Sequence, residues 1–595
     1  MQDSQDLFAP LTTPGAGLKG HFDEELLLLT EAAAEFARAY PHQAHALSLD
    51  DPRTRDPRVE RLFQGMAFLA ALIRQRLDEE QPDVCAGLLT RLRPEALRPY
   101  PACTVLQLAQ QHRRRQAFTL SAGTLVQSPP VGAEQTCCRF RTLWPVTFQP
   151  VHLEAVEYRR EGIKGGCLIL DLALHEPHDP DQPLPTALDL HVPEDGDADM
   201  SLLDHLVTAT DSVHLLEDPS QGIREMAFGD QAGIHPSYAL WQYGVRPEFR
   251  ETAFPGFNLL QDFFHFKDRF RFITLHLGQS WQLPRNTRRF RLGIVLGRRL
   301  PGSPSRYRHA LRLHCVAAVN LFEQDAEPLV RDPRRAEYPL TVDNRRPESL
   351  QIYRVEQVQG MDSVTGQRRR YPLMFSETLP EVEQGGYEPL VHTDVTGHTR
   401  IRLGLDPAQA PRHETLSCRV LAHNGHYPHD HIAAGTPLEA VRDPGTGLSI
   451  SALSRPGRLY PPPTRGDWRW TLIRQVSMQQ GGLRSTEDLS QWLDMLDWTR
   501  DPLRRKLPTG ILDLEAIPFT RWRRGALHVG QALTLAVDLA VFAGRAEAAL
   551  LGQVLAFALS MQAPIHQGVR LRLKARPGGQ DITWPAPPDH PPIPQ

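Results

Sequence analysis

Lysine is nearly absent from this chain. Of 66 basic residues in 595, only Lys19, Lys164, Lys267, Lys506 and Lys574 are lysine. Arginine carries the rest, and its planar fork suits bidentate contacts at interfaces. Neither sign of charge dominates: the formal net charge is −4, so no global field would draw the chain to DNA or to an anionic membrane. Cysteine is sparse, with seven residues at 85, 103, 137, 138, 167, 315 and 418. They form no CxxC pair, and an odd, scattered set is expected to be reduced and mostly buried. Long apolar runs are missing as well. The most apolar late stretch, Ala548 to Met561, is broken by Gln553 and is too short to cross a bilayer. Met1 to Thr13 has neither the basic start nor the apolar centre of a secretory signal. No HExxH, GxSxG or Walker A string occurs. These absences predict a protein that stays inside the cell and is not an enzyme.

What is present begins with two helices. Phe22, Leu26, Leu29, Ala33, Phe36 and Tyr40 recur at spacings of four and three, a narrow stripe along one helix face. Beyond Pro41 and a polar linker, Asp56 stands at an N-cap position and Pro57 where its missing N–H costs nothing. A second stripe follows on Leu62, Met66, Leu69, Ile73 and Leu77. A helix from Pro57 to about Glu80 would run about 36 Å at 1.5 Å per residue. Such stripes either close a hairpin inside the chain or form a seam with helices of another subunit. Phe22, Leu26, Leu29, Phe36, Leu62, Met66, Leu69 and Ile73 are the candidate assembly seam.

The wording around these helices is specific. Glu35-Phe36-Ala37-Arg38-Ala39-Tyr40-Pro41, the run Asp56 to Leu62, Ala67-Phe68-Leu69-Ala70-Ala71 and Leu97-Arg98-Pro99-Tyr100-Pro101 follow in one order at close spacing. This closely resembles the amino-terminal region of the TssF family (also called VasA or ImpG), baseplate subunits of bacterial type VI secretion systems. Leu259-Leu260-Gln261-Asp262-Phe263-Phe264 with Phe270 and Phe272 resembles the family's aromatic run. Cys315, Asn320-Leu321-Phe322 and Ala326-Glu327-Pro328 resemble its central signature, and Pro461-Pro462-Pro463 before Trp468-Arg469-Trp470 its proline turn. The likeness spans roughly residues 22 to 575.

Along the chain, the period changes several times. Residues 1–20 are expected to be a flexible leader and 21–100 a helical assembly region. Short runs such as Thr104 to Leu108, Cys138 to Leu143 and Cys167 to Leu172, several bounded by Pro or Gly, have the cadence of antiparallel strands. They place β-rich domains over 101–340 and a further β-rich domain with a linker over 341–460. Asp199 to Leu206 is expected to form one short helix. Pro380 to Thr396 reads as a connection, and Thr436 to Pro463, rich in Pro, Gly, Ser and Arg, as the best boundary. Residues 461–575 are expected to be a C-terminal α+β domain. It opens with a helical pattern on Trp470, Ile473, Val476 and Ser477, has Ser485 as a helix cap, and ends in a helix from about Ala546 to Met561. The seven prolines after Arg576 predict a disordered tail over 576–595. The fold class is α+β and multidomain: an N-terminal helical region, β-rich middle domains and a mixed α/β C-terminal domain.

Five strings tempt a chemical reading. His423-Asn424-Gly425-His426-Tyr427-Pro428-His429-Asp430-His431 holds four imidazoles and a carboxylate in nine residues, a potential metal site. Gly425 and Pro428 place it in a turn, no spacing fits a helical site, and a solvated His-rich loop is the expectation. Gly15 to Gly20 spells GxGxxG, but Ala9 to Pro14 makes a poor buried strand before it, so no dinucleotide is expected. Asp195, Asp197 and Asp199 alternate like a calcium loop, yet Met200 and Leu206 stand where its glycine and glutamate belong. The basic runs His112-Arg113-Arg114-Arg115 and Arg368-Arg369-Arg370 are not interleaved with aromatics as a nucleic-acid groove would be.

The resemblance therefore carries the functional expectation. It implies a structural baseplate wedge component without cofactor or metal, cytoplasmic and docked at the cytoplasmic face of the inner membrane through the assembled baseplate. The implied partners are a second copy of itself, a TssG-like subunit, a TssK-like adaptor, a TssE-like sheath initiator and a VgrG-like hub. No nucleic acid and no direct membrane insertion are implied. A phage-tail-like wedge protein and a metal-dependent enzyme using the 423–431 loop are the alternatives. Two departures from the family pattern stand out: Lys267 occupies a place where the family usually has proline, and Arg521-Trp522-Arg523 is unusually basic before Arg524-Gly525.

Overall fold

The computed structural model describes residues 18–46, 57–72, 89, 94–110, 117–160, 165–181, 183–193, 199–228, 232–241, 255–278, 281–332, 334–374, 385–393, 399–406, 414–442, 447–463, 485–499, 507–523, 526–542, 544–562, 567–576 and 581–582. Two compact units divide the chain, Met1–Glu95 with Thr464–Ser477, and Ala96–Pro463 with Met478–Gln595. The first is built on helix α1, Leu18–Ala39, the short α2, Pro41–Ala46, and α3 over residues 57–72. Pro41 restarts the helix because it offers no N–H to continue α1 and fits a first helical position. The contact between these helices is small and alanine-rich: Ala33 and Ala44 are buried, with Ala37, Val59 and Phe63 packed on them.

The second unit is organised by strands. Six of them, Cys103–Gln110, Cys315–Val319, Thr136–Thr142, Leu125–Val131, Pro437–Ala440 and Leu448–Ala452, close a barrel in that spatial order. This corrects two expectations. The barrel crosses the expected break at 340, and two of its strands lie inside the segment taken for a linker over 436–463. Pro437 begins one of these short barrel strands, and Ser449 and Ser451 lie within the other. Antiparallel pairing of Leu106 with Ala452 and of Leu438 with Ile450 fixes them.

Two sheets are inserted in the barrel sequence. One has five strands, ordered Met226–Ala227, Thr210–Leu215, Arg289–Leu296, Cys167–Leu174, Val151–Arg159; the other has four, Gly233–Pro236, Phe272–His276, Ala187–His191, Arg312–Leu313. A helix at Asp199–Thr208 precedes the strand Thr210–Leu215. After the barrel strand Cys315–Val319, the chain enters a region whose two sheets share one core of Phe322, Tyr338, Val358, Leu403, Leu416 and Val420 among others. The segment 380–396, expected as a connection, contributes the strand Tyr387–Thr393 to this core region.

The C-terminal sheet runs Ile511–Arg523, Ala526–Asp538, Gln567–Arg576, Asp581–Ile582. Ala526–Asp538 and Gln567–Arg576 are parallel, which requires a crossover. The helix Arg545–Gln562 supplies it. Ser485 caps the preceding helix Thr486–Leu496 through its hydroxyl, which accepts the Asp488 N–H at 3.1 Å. Within the tail expected to be disordered over 576–595, Asp581 and Ile582 pair with Lys574 and Leu573, and Ile582 is buried. The fold is α+β and multidomain. The pattern on Trp470 to Ser477, the cap at Asp56, the stripe positions Ile73 and Leu77, and the strings at His112–Arg115 and Asp195–Asp197 lie outside the described residues.

Candidate functional site

On α3 the apolar residues divide between two faces. Val59, Phe63, Ala67 and Ala71 recur every four residues; Val59 and Phe63 pack on the alanine contact, and Ala67 and Ala71 are buried. Leu62, Met66 and Leu69 point elsewhere and are 66%, 55% and 61% exposed. At 100° per residue their face is roughly a third of a turn from the buried one, and Leu72 extends it, also exposed. On α1, Phe22, Leu26 and Leu29 are half-buried, Ala33 is buried, and Phe36 and Tyr40 are exposed with their rings 5.3 Å apart. Leu27 and Leu28 add further exposed apolar surface. The stripe Leu62–Met66–Leu69 therefore does not close the hairpin; Val59 and Phe63 do, against Ala33 and Ala44. Their repeat, Val59-Phe63-Ala67-Ala71, is present in the sequence, but its two alanines give a weaker hydrophobic signal than the Leu and Met beside them.

The His-rich string is not a solvated loop throughout. His423 ends the strand Glu414–His423 and is buried. Its Nδ1 accepts the Gly425 N–H at 3.0 Å, and burial, with a smaller push from His426, lowers its pKa to about 3. Tyr427–His431 is a helical turn. His429 is held by the Pro456 carbonyl at 2.8 Å and by Arg458 at 3.3 Å, while His426 and His431 are exposed. Among the described residues, no group of three or more His, Cys, Asp or Glu is arranged to hold a metal ion.

Several of the strings singled out in the sequence meet in a buried knot. Tyr100 donates its hydroxyl to Asp262 Oδ1 at 2.9 Å. The other carboxylate oxygen of Asp262 pairs with Arg269, and both side chains are fully buried. Arg269 also donates to the carbonyls of Leu240 and Trp241 at 3.1 and 3.0 Å. Burial, then the Asp262 carboxylate, raises the Tyr100 pKa well above the ordinary value. His265 stacks on Tyr100 at 4.5 Å, and its Nε2 accepts the Trp498 N–H at 3.3 Å. Tyr100 and Tyr460 exchange backbone hydrogen bonds of 2.7 and 3.0 Å. Residues 162, 169, 360 and 398 positions beyond Tyr100 are thereby brought onto one tyrosine ring and its neighbours. Sequence reasoning found the aromatic run and the proline turn but missed Arg269, His265 and Tyr460, whose roles depend on contacts this remote.

A second polar joint uses the central signature. Asn320 and Asn424 are fully buried and reciprocal. The Asn424 N–H donates to Asn320 Oδ1, and Asn320 Nδ2 donates to Asn424 Oδ1, each at 2.7 Å. Asn320 also donates to the Arg139 carbonyl at 2.6 Å, and Asn424 to that of Ser349 at 2.9 Å. These bonds tie the barrel strand carrying Arg139 to the start of the next core region. Within that region Arg331 pairs with Glu414 at 3.0 Å and with Tyr371 at 2.7 Å, all buried. Burial, assisted by Glu414, pushes the Tyr371 hydroxyl up to about 12. Buried networks of this kind fix the geometry of the elements that carry them.

No described helix is long and apolar enough to cross a membrane. The family model described as Type VI secretion system, TssF matches residues 16–590. Type VI secretion system component TssF1 of Pseudomonas aeruginosa is 25% identical, the alignment covering 96% of this chain and 98% of that protein. A solved structure of the type VI secretion system TssK-TssF-TssG baseplate subcomplex contains a chain 27% identical with a TM-score of 0.72, matching 89% of this chain and 98% of its own. A second structure, of the baseplate complex from the type VI secretion system, gives 25% identity and a TM-score of 0.59 over 96% of this chain and 100% of the other. This likeness over nearly the full length leads to one assignment: the chain belongs to the TssF family, a structural component of the type VI secretion system baseplate.

Proposed function

We propose that the chain is a non-catalytic wedge subunit that docks helices of a TssG-like subunit on the apolar face of α1 and α3. The observation that carries this reading is the exposure of Leu62, Met66 and Leu69 beside a hairpin contact already made by Val59 and Phe63. A face of large apolar side chains that its own hairpin leaves open is the usual mark of a protein–protein surface. The likeness to the chain of the TssK-TssF-TssG subcomplex supports TssG-like and TssK-like partners, and in this reading the wedge holds two copies of this chain for each TssG-like subunit. A TssE-like sheath initiator and a VgrG-like hub complete the surroundings. The wedge works in the cytoplasm, at the cytoplasmic face of the inner membrane.

Co-expression with the TssG-like subunit of the same operon should give a defined complex at two copies to one. The chain alone should be poorly soluble or form mixed oligomers. A stable monomer that ignores that partner would defeat the proposal.

A further inference from the structure

The outer face of the C-terminal sheet is polarised in charge across its strands. Register places Asp513 beside Ala536 and Ala536 beside Lys574; the next rows are Glu515, Thr534, Arg572 and Ile517, Ala532, Arg570. One flank is thus acidic, the centre small, and the other flank basic. The opposite face carries Leu535 and Leu573, against which the crossover helix packs so closely that a Cβ on Gly552 would meet Leu573. Asp513 and Glu515 are exposed on one flank, and Arg570, Arg572 and Arg576 on the other. Between the flanks lies a trough of about 260 Å³ lined by Asp513, Glu515, Thr534, Ala536, Lys574 and Arg576.

The two flanks are two strand spacings apart, about 10 Å; Arg570 reaches across to lie 4.8 Å from the centre of the Phe519 ring, but no ion pair joins the flanks among the described residues. Arg572 reaches outward to Asp581 at 3.5 Å instead. Asp513, Glu515, Lys574 and Arg576 make no side-chain ion pair among the described residues. Such a face is complementary to itself. Rotation of a second sheet by half a turn about an axis parallel to the strands lays its basic strand over the acidic strand of the first, and the reverse. The rows stay in register, so Asp513 meets the other copy's Lys574 and Glu515 its Arg572. The small central residues Ala532, Thr534 and Ala536 let the two sheets approach along the axis. A two-fold interface requires this self-complementarity, and opposite potentials facing each other select partner and register.

We propose that the outer face of the C-terminal sheet is the surface through which two copies of this chain pair. This deepens the proposed function and rests on its reading that two copies share one wedge.

Charge exchange tests the proposal on the full chain, co-expressed in two differently tagged forms with the TssG-like subunit. Asp513→Lys with Glu515→Lys makes both flanks basic; Lys574→Glu with Arg576→Glu makes the basic flank acidic. Either altered chain alone should lose copy-to-copy co-purification by roughly tenfold or more, because like charges then face each other twice. One copy of each should restore it, which also shows that both fold. Self-association of either altered chain at the unaltered level, or failure of the mixture to recover, would overturn the proposal. Intact pairing of copies without capture of the TssG-like subunit would instead defeat the docking role of the helical seam and leave the sheet pairing standing.

Discussion

Replacing Leu62 and Leu69 together with Asp separates an inter-subunit seam from a private core. Both side chains are about two-thirds exposed, 66% and 61%. In the isolated chain, then, little burial is lost. The main cost is the poorer helix propensity of Asp, about 0.5 kcal/mol per position, or about 1 kcal/mol for the pair. In a helix interface the same change removes the burial of two leucines. At about 1.5–3 kcal/mol for full burial, two-thirds of each gives about 2–4 kcal/mol together. Two carboxylates placed against apolar side chains add several more. The affinity for a TssG-like partner should therefore fall by about a thousandfold or more. Circular dichroism melts report the first quantity, and co-purification with secretion assays the second. Phe63→Asp is the contrast: it sets a carboxylate among Ala33, Ala44 and Val59 and should unfold the hairpin itself. Leu29→Asp, at a half-buried position of α1, should do some of both. A Leu62→Asp, Leu69→Asp chain that folds, binds its partner normally and supports secretion would refute the reasoning.

Arg269→Met should destabilise the second unit by about 3–5 kcal/mol, since it leaves the buried Asp262 carboxylate without its cation; an additional Asp262→Leu change should recover part of that loss in thermal melts. Stability should also fall with acid. His191 and His423 are fully buried with pKa lowered from 6.5 to about 3, and His314 is lowered to about 4, each mainly by burial. Because the unfolded chain takes up these protons below about pH 6.5 and the folded chain does not, the stability present above 6.5 is lost as pH falls towards 4, by about 2 kcal/mol per histidine between pH 7.5 and 5. Urea titrations at the two pH values should show it, and His423→Gln should flatten the dependence; equal stability at both would contradict the burial. Truncation after Arg576 removes the paired, buried Ile582 and should cost about 1–2 kcal/mol, whereas truncation after Ile582 should leave the melting temperature within a degree or two of the full chain.

The parts legible in the sequence are the local ones. The Ser485 cap needs only a hydroxyl three residues before an N–H, and the helix Asp199–Thr208 only its own apolar side. The family was legible because its strings occur in order over most of the chain. The barrel was not, since Cys103–Gln110 pairs with strands more than two hundred and more than three hundred residues away, and nothing in a five-residue strand names so distant a partner. Nor could the sequence show which stripe of α3 turns inward. Leu62, Met66 and Leu69 are more apolar than Ala67 and Ala71, yet the face that begins with Val59 and Phe63 is the one that packs on Ala33 and Ala44. His429 was read as solvated because its partner, the Pro456 carbonyl, belongs to a segment taken for a linker.

The departure at Lys267 fits the same logic. Its ammonium pairs with Glu547 on the crossover helix and lies 4.9 Å from the centre of the Phe263 ring. Gly256, at the start of the helix Pro255–His265, touches the same crossover helix so closely that a Cβ would sit 2.2 Å from the Ala558 carbonyl oxygen, and Trp241 meets Phe557 edge-on at 6.0 Å. The helix Pro255–His265 also carries Asp262 and His265 of the buried knot. Crossover helix, aromatic run and barrel entrance at Tyr100 are therefore keyed through successive close contacts, and displacement of the C-terminal sheet would have to break a buried ion pair. On the proposed reading, a subunit that holds other proteins at fixed spacing needs this distribution: buried polar joints such as Asn320 with Asn424 that set geometry inside, and large apolar side chains exposed on α1 and α3, where the proposed partner would supply the burial that the chain itself does not.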